Sequence, residues 1–288
     1  MKRMKPATHI VDRQSILVIT RRFFRWLTTP HVFLAILMLI LMIYLIVIPL
    51  GRMVETTLTV QKKDLVTLKG VAEGDFTFYH WTRMLFTKIS KIILYAPLRN
   101  SLVVSAGATL FAFFLGAMMA WLVVRTDMPG RNIINNLAIV PYMMPSWTIA
   151  MAWTVLFKNR TMGGTPGLLE YIIGQGPPDW LAYGPVPIII SSGLHYYTFF
   201  FLFVSTALIS IDSNLEEAAA MMGASRARIL RRITFPIILP AILSGFIMTF
   251  SRVMGTFGGP NVLGVPVRYY TLSTMIRSTI KIGDTADA

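Results

Sequence analysis

The stretch HVFLAILMLILMIYLIVIPL, from His31 to Leu50, contains no aspartate, glutamate, lysine or arginine. An α-helix rises about 1.5 Å per residue, so a run of this length crosses the roughly 30 Å hydrocarbon layer of a bilayer. A helix in the core of a soluble protein does not need so long an uncharged segment. We therefore predict that residues 31–50 form a membrane-spanning helix.

The composition of the whole chain supports this prediction. Apolar residues make up 55% of the 288 residues and charged residues only 14%, whereas a soluble domain normally carries about 25% charged residues. The formal net charge is +14, but the basic residues lie mostly between apolar runs, as they do beside membrane spans. No basic stretch is interleaved with aromatic residues in a soluble segment, so we expect no nucleic-acid partner. Because the chain has no cysteine, disulfides, thiolate metal sites and a cysteine nucleophile are excluded.

Four more segments are long and apolar enough to cross the membrane: residues 99–124, 133–157, 185–210 and 237–256. Inside a bilayer every backbone polar group needs a partner within the protein, and a helix supplies these partners from its own backbone. The sequence therefore predicts an all-α integral membrane protein, a multi-span bundle of about five helices.

The charge distribution predicts the orientation of these spans. The first thirty residues carry seven basic side chains and one acidic side chain, and basic flanks tend to stay in the cytoplasm. We therefore predict a cytoplasmic N-terminus, with 51–98 and 158–184 outside and 125–132 and 211–236 inside. The four arginines of 211–236 agree with this topology, whereas the basic residues of 51–98 do not. Longer loops cross with less regard to charge, which weakens that conflict.

The second predicted span has small residues at four-residue spacing: Ala108, Ala112, Gly116 and Ala120. Residues at this spacing share one helix face, where another helix can approach closely. The pattern is compatible with packing inside this chain and with contact to a partner subunit.

Four residues within the spans are candidates for a translocation path. Pro141 and Pro145 each remove a backbone donor from the third span, and such a break needs polar partners or a water-lined cavity. His195 and Arg252 are ionisable, and ionisable residues in spans usually face a bundle interior or water. For all four, a purely structural role is the alternative: a kink, a hydrogen bond in the core, or a side chain that reaches the interface.

The loop before the last predicted span reads DSNLEEAAAMMGASRARILRRITFP over residues 212–236. Ser213 and Glu216 fit a capping box, in which the serine oxygen and the glutamate side chain each take a free backbone N–H. Gly223 can adopt the left-handed conformation that ends a helix, and Ser225 can cap the next one. We predict two short helices joined at Gly223.

Several residues of this loop recur at fixed spacings: Glu217, Ala218, Ala219, Gly223, Ile233, Phe235 and Pro236. This pattern resembles the EAA loop of the binding-protein-dependent ABC importer permeases, the MetI-like family, in which a leucine stands where this chain has Phe235. The resemblance implies the type I ABC importer fold. It also implies that the first loop helix docks on a separate ATPase subunit, with Glu217, Ala218, Ala219, Gly223, Ile233 and Pro236 as the coupling residues.

The same resemblance implies the partners and the location. The expected partners are an ABC ATPase, a second permease half or subunit and an extracytoplasmic substrate-binding protein. The chain itself is expected to be a multi-pass protein of the cell inner membrane, in contact with the membrane lipids. The chain has no G-x-x-x-x-G-K-[ST] motif, so ATP hydrolysis is expected on the separate chain. We expect neither a cofactor nor catalytic residues in this one.

Two further motifs extend the resemblance, which runs from about residue 76 onward. Asn100 to Leu102 look like the opening of the family's core spans. Phe257-Gly258-Gly259-Pro260, followed by Leu263-Gly264, is similar to a segment of the iron(III)-type permeases and their relatives. Iron(III) is therefore the first expected substrate, with polyamines, thiamine, phosphonates and oxyanions as alternatives.

The predicted organisation is a basic N-terminal segment, 1–30, a first span with an external loop, 31–98, and a permease core, 99–288. Family members have at least six spans, and 271–288 is too short and too polar to be a sixth. We expect an amphipathic helix there, an external C-terminus, and a core that is either truncated or half of a fused twin.

Two other classes of function are alternatives to an importer permease. A membrane-embedded enzyme would need paired acids or a cluster of histidines and acids, but the four histidines are scattered and acids are nearly absent from the spans. A passive channel or an assembly subunit would not need the EAA pattern.

Overall fold

The computed structural model describes residues 29–68, 70–160, 163 and 165–282, which are helical over most of their length. They belong to two compact units, Met1–Trp81 and Thr82–Ala288. The predicted all-α class is confirmed. The predictions for the basic N-terminal segment and for the C-terminal end beyond residue 282 lie outside the described residues.

The helices are, in chain order, α1 Pro30–Leu58, α2 Tyr79–Phe86, α3 Lys91–Arg125, α4 Arg131–Leu137, α5 Val140–Met143, α6 Ser146–Phe157, α7 Leu168–Ile173, α8 Asp179–Ala182, α9 Pro185–Ile209, α10 Ser213–Met221, α11 Arg226–Met254, α12 Gly258–Leu263 and α13 Leu272–Ile282. Within the described residues, four helices are long and apolar enough to cross a membrane: α1, α3, α9 with the preceding α8, and α11.

The third predicted span, 133–157, is not one straight helix. It consists of Arg131–Met143 followed by Ser146–Phe157, which are bent by 97° at the break between them. Pro145 lies in this break with extended backbone and precedes the first residue of α6. The prediction that proline interrupts this span is confirmed, and the part of the chain that the structure describes has up to five candidate spans if the bent pair counts as one.

Three short π-helical segments occur inside the long helices: Ile43–Val47, Lys91–Tyr95 and Leu230–Thr234. A proline lies two residues after each of them: Pro49, Pro97 and Pro236. Proline has no N–H, and its ring crowds the carbonyl four residues before it. A π-turn changes the hydrogen-bond register locally to i→i+5, and in this way the helix continues through the proline. For this reason α1, α3 and α11 are all longer than the sequence predicted.

The first unit contains α1 and a small segment after it. The side chains of α1 are almost all exposed, as expected for an apolar helix that faces lipid. An isolated antiparallel bridge joins Thr59 and Phe76. Under it, the imidazole Nε2 of His80 lies 3.1 Å from a carboxylate oxygen of Asp64, and both side chains are buried. This buried pair fixes the short loop between the ends of the bridge.

The core of the second unit is the packing of α3 against α9 and α11. The small-residue face of α3 is fully buried and lies against α9. A Cβ added to Gly116 would lie 2.5 Å from the Tyr197 carbonyl oxygen and 2.8 Å from the Phe200 Cβ. Of the two alternatives left by the sequence, packing inside the chain is therefore the one that the structure shows. The small side chains of this face allow the backbones of α3 and α9 to come into direct contact.

Polar contacts hold the shorter elements on this core. Thr198 of α9 donates to the carbonyl of Ala138, at the turn between α4 and α5, over 2.9 Å. Asn100 donates to the Tyr270 carbonyl over 2.9 Å, and the Leu272 amide donates to the Ser101 hydroxyl over 2.8 Å. The predicted amphipathic helix is confirmed as α13, and these two bonds attach its start to α3.

Candidate functional site

The loop between α9 and α11 contains one helix, α10, which we call the coupling helix. Asp212 is its N-cap, and the Asp212 carboxylate accepts a hydrogen bond from the Asn214 amide over 2.9 Å. The predicted capping box is wrong, because Ser213 lies inside the helix rather than at the cap. The side chain of Glu216, which the box would have used, has other partners.

Glu216 connects three helices. Its carboxylate accepts two hydrogen bonds from the Arg125 guanidinium, over 2.9 and 3.1 Å, and a third from the Thr234 hydroxyl over 2.7 Å. Arg125 is the last residue of α3, and Thr234 is buried in α11. Bidentate arginine–carboxylate pairs are among the stronger protein hydrogen bonds and fix a geometry. Glu216 therefore ties the coupling helix to the end of one span and the beginning of another.

Gly223 ends the coupling helix as predicted. Its φ is +81°, in the left-handed region, and the amide of Ala224 donates back to the Ala219 carbonyl over 3.0 Å. An added Cβ would meet nothing within 4 Å, so the backbone conformation, and not a lack of space, requires glycine. The second predicted short helix is wrong, because Arg226 begins the continuous helix α11, which includes Ile233 and Pro236.

The outer surface of the coupling helix is apolar at its two ends. Leu215 is 53% exposed, and Met221 and Met222 are 84% and 83% exposed. Of the predicted coupling residues, Glu217 and Ala218 are exposed with them, whereas Ala219 is buried against the chain. Exposed methionines adapt to the shape of a partner surface. Because the EAA resemblance implies docking here, we call this exposed surface the docking face; it consists of Leu215, Glu217, Ala218, Met221 and Met222.

Two of the candidate path residues meet at the bent third span. The imidazole of His195 is buried and lies within hydrogen-bonding reach of the Pro141 backbone. The centroid of its ring is 5.7 Å from the centroid of the Tyr142 ring. Pro145 lies at the nearby break, and Arg252 is exposed in the last turn of α11. Pro141 and His195 thus form one local contact, and Arg252 is not part of it.

The glycine motif after α11 is a packing element. A Cβ added to Gly258 would lie 2.9 Å from the Trp147 Cβ, and one added to Gly264 would lie 2.5 Å from the Tyr269 carbonyl oxygen. Pro260 and Leu263 are buried between these glycines. The motif therefore lets α12 lie directly on the start of α6, beside the bend of the third span.

Curated proteins are similar to about 60% of this chain. It is 28% identical over 169 residues to the "Probable sulfate transport system permease protein cysT" of Chlorokybus atmophyticus, covering 59% of this chain and 57% of that protein. It is 29% identical over 185 residues to the molybdenum transport system permease protein ModB of Escherichia coli, covering 60% of this chain and 76% of that protein. The chain thus spans little more than half the length of the first relative.

The fold matches a solved transporter. A chain of a bacterial ABC transporter that imports the acidic polysaccharide alginate superimposes with a TM-score of 0.66 at 19% sequence identity, covering 92% of this chain and 91% of that one. This likeness confirms the predicted fold of the type I ABC importer permeases. Residues 112–288, which contain the coupling helix and most of the core, match the family model for the inner membrane component of binding-protein-dependent transport systems. The chain belongs to this family of transport permeases.

Proposed function

We propose that the chain is the membrane-spanning subunit of an ATP-driven importer and that the coupling helix is its contact with a separate ATPase. The docking face supports this proposal, because an exposed apolar surface rimmed by polar residues marks a site of protein association. The coupling residues are then Glu217 and Ala218 on that face, with Gly223 setting where the helix ends. Ala219 serves the opposite side, where it packs against the chain.

The hydrogen bonds of Glu216 connect movement of the coupling helix to movement of the membrane spans in this proposal. When the ATPase subunits close on ATP, they displace the coupling helix. Because Glu216 bonds to Arg125 and Thr234, this displacement pulls on the end of α3 and the beginning of α11 together. Both helices pack along α9, so the movement reaches the core of the bundle as a tilt of two connected spans.

The substrate that we propose is an oxyanion of the sulfate or molybdate kind. The two relatives named above are called sulfate and molybdenum permeases, which favours the oxyanion alternative over iron(III). The exposed guanidinium of Arg252, in the last turn of α11, has a sign that attracts an anion and repels a free iron cation. With Arg252, the break at Pro141 and Pro145 and the buried His195 remain the proposed residues of the path.

A complete importer of this kind needs more chains. We propose a second permease subunit across the path, an extracytoplasmic binding protein that delivers the substrate, and the ATPase on the cytoplasmic side. The coupling helix then lies in the cytoplasm, as the four arginines of its loop favour, and the N-terminus lies on the same side.

An uptake experiment tests the class and the substrate together. The chain is reconstituted in proteoliposomes with its ATPase, binding protein and second permease, and radiolabelled sulfate, molybdate or iron(III) is offered. We expect ATP-dependent uptake of an oxyanion and none with a non-hydrolysable ATP analogue. Uptake that proceeds equally without ATP would show a passive channel, and uptake of iron(III) alone would refute the oxyanion assignment.

A further inference from the structure

A cavity of about 420 Å³ lies at the end of the bundle that carries the coupling helix. Its walls come from the last turn of α3 and the first turns of α11, and they include Trp121, Arg125, Arg226, Ala227, Ile229 and Leu230. Glu216 and Thr234 lie at the same wall. The cavity is open on one side, and its size suits a phosphate headgroup with the beginning of its acyl chains.

The charged residues of the cavity leave one positive charge without a counter-ion. Arg125 uses two of its nitrogens on Glu216, and its Nε is buried with no hydrogen-bond partner among the described residues. Arg226 forms no ion pair within the described part of the chain. Arg226 itself is exposed. Two guanidinium groups thus share a single carboxylate, and the buried Nε–H of Arg125 together with the unpaired guanidinium of Arg226 favours an anion.

The other walls of the cavity are apolar and lie at the ends of membrane helices. Trp121 is within two turns of the end of α3, and tryptophan concentrates at the level of the lipid headgroups. Ile229 and Leu230 give a lipid chain an apolar surface beside the charges. A free inorganic anion would gain nothing from these side chains, whereas a phospholipid uses both parts of the site.

From this juxtaposition we propose that the cavity binds an anionic phospholipid of the cytoplasmic leaflet, with its phosphate between Arg226 and Arg125 and its acyl chains along Trp121 and Leu230. Basic pockets between membrane helices on the cytoplasmic side are suited to such headgroups. The inference rests on the cytoplasmic position of the coupling helix in the proposed function. A bound lipid would brace the Arg125–Glu216 pair and so connect the lipid composition to the coupling helix.

The test is a binding measurement that needs no transport. The full-length chain in neutral detergent is titrated with radiolabelled phosphatidylglycerol, and phosphatidylcholine or inorganic phosphate is added as competitor. Arg226→Gln is compared with Arg228→Gln, because Arg228 is an exposed arginine two residues away that does not line the cavity. Both changes remove one positive charge from the same helix.

We expect Arg226→Gln to weaken phosphatidylglycerol binding about fivefold, the usual effect of one basic residue near a membrane surface, and Arg228→Gln to leave it unchanged. Equal weakening by the two variants would show a diffuse charge effect and overturn the site. Displacement by inorganic phosphate would show a free-anion site, and displacement by phosphatidylcholine an unspecific lipid contact. Either result also overturns the proposal. Failure of uptake with intact lipid binding would refute the proposed function alone.

Discussion

The pair formed by Glu216 and Arg125 allows a sharp test of how the coupling helix is held. Glu216→Gln keeps the size of the side chain, but it removes the negative charge and replaces one acceptor oxygen by an NH2 group that cannot accept from Arg125. The neighbouring Glu217 provides a matched control, because Glu217→Gln is the same chemical change on an exposed residue of the same helix. Any difference between the two variants then reports the partners of Glu216.

The expected effect follows from the hydrogen bonds that lose their charge. A hydrogen bond to a charged group contributes about 1.5–3 kcal/mol, and the amide leaves Arg125 with one such bond fewer. Both side chains remain about one fifth exposed, and solvent screening reduces such contributions. We therefore expect a total loss of about 1.5 kcal/mol in the attachment of the coupling helix, which is roughly a tenfold change in its opening equilibrium.

Hydrogen exchange of the α10 amides measures this opening directly. In the purified chain, we expect the amides of Ser213–Met221 to exchange roughly tenfold faster in Glu216→Gln than in the wild type, and Glu217→Gln to match the wild type. The charge-reversed double variant, Glu216→Arg with Arg125→Glu, should recover part of the protection. Equal exchange in the two single variants would refute the conclusion that Glu216 holds the coupling helix on the spans.

Three further perturbations address other parts of the fold. Gly223→Val should abolish ATP-driven uptake, because a β-branched residue strongly disfavours a positive φ, while membrane insertion, measured by fractionation, stays normal. Normal uptake would contradict a role of the coupling helix in transport. Gly116→Ala should lower the melting temperature and the purification yield of the protein, because the added Cβ lies closer than 3 Å to two atoms of α9. Gly51→Ala is the control and should change neither, because nothing lies within 4 Å of its added Cβ. Equal melting temperatures of the two variants would contradict the close packing. Asp64→Asn should expose the loop next to His80 to proteolysis, since leaving a buried polar group without its partner costs about 1–3 kcal/mol, and an unchanged digestion pattern would show that the contact does not hold this loop.

Hydropathy alone placed the membrane helices, because an uncharged run of about twenty residues has few other structures available in a bilayer. It did not place their ends. Pro49, Pro97 and Pro236 lie near the predicted ends of three spans, and a π-turn before each of them lets the helix continue beyond those ends. The 97° bend of the third span could not be predicted from the sequence either, because a pair of prolines indicates a break but does not determine its angle.

The loop shows where local patterns fail. Ser213 and Glu216 satisfy the spacing of a capping box, but Glu216 bonds instead to a side chain 91 residues earlier, and no local pattern reports such a partner. Gly223 was predictable because its requirement is a property of its own backbone. The small-residue face of α3 was recognised as a close contact, but its partner helix, α9, could only be known from the fold.

The position of the coupling helix on the ATPase is the central claim, and a cross-link tests it most directly. The chain has no cysteine, so Ala218→Cys on the docking face supplies its only thiol, to which a photoactivated cross-linker is attached in the complete transporter. Ile247→Cys, at a position in α11 that is 71% exposed and that we expect to face lipid or the second permease, is the control. We predict a cross-link from position 218 to the ATPase subunit, at a yield that changes when ATP is added, and none to the ATPase from position 247. A complete transporter that takes up substrate normally but gives no cross-link between position 218 and the ATPase would contradict the account.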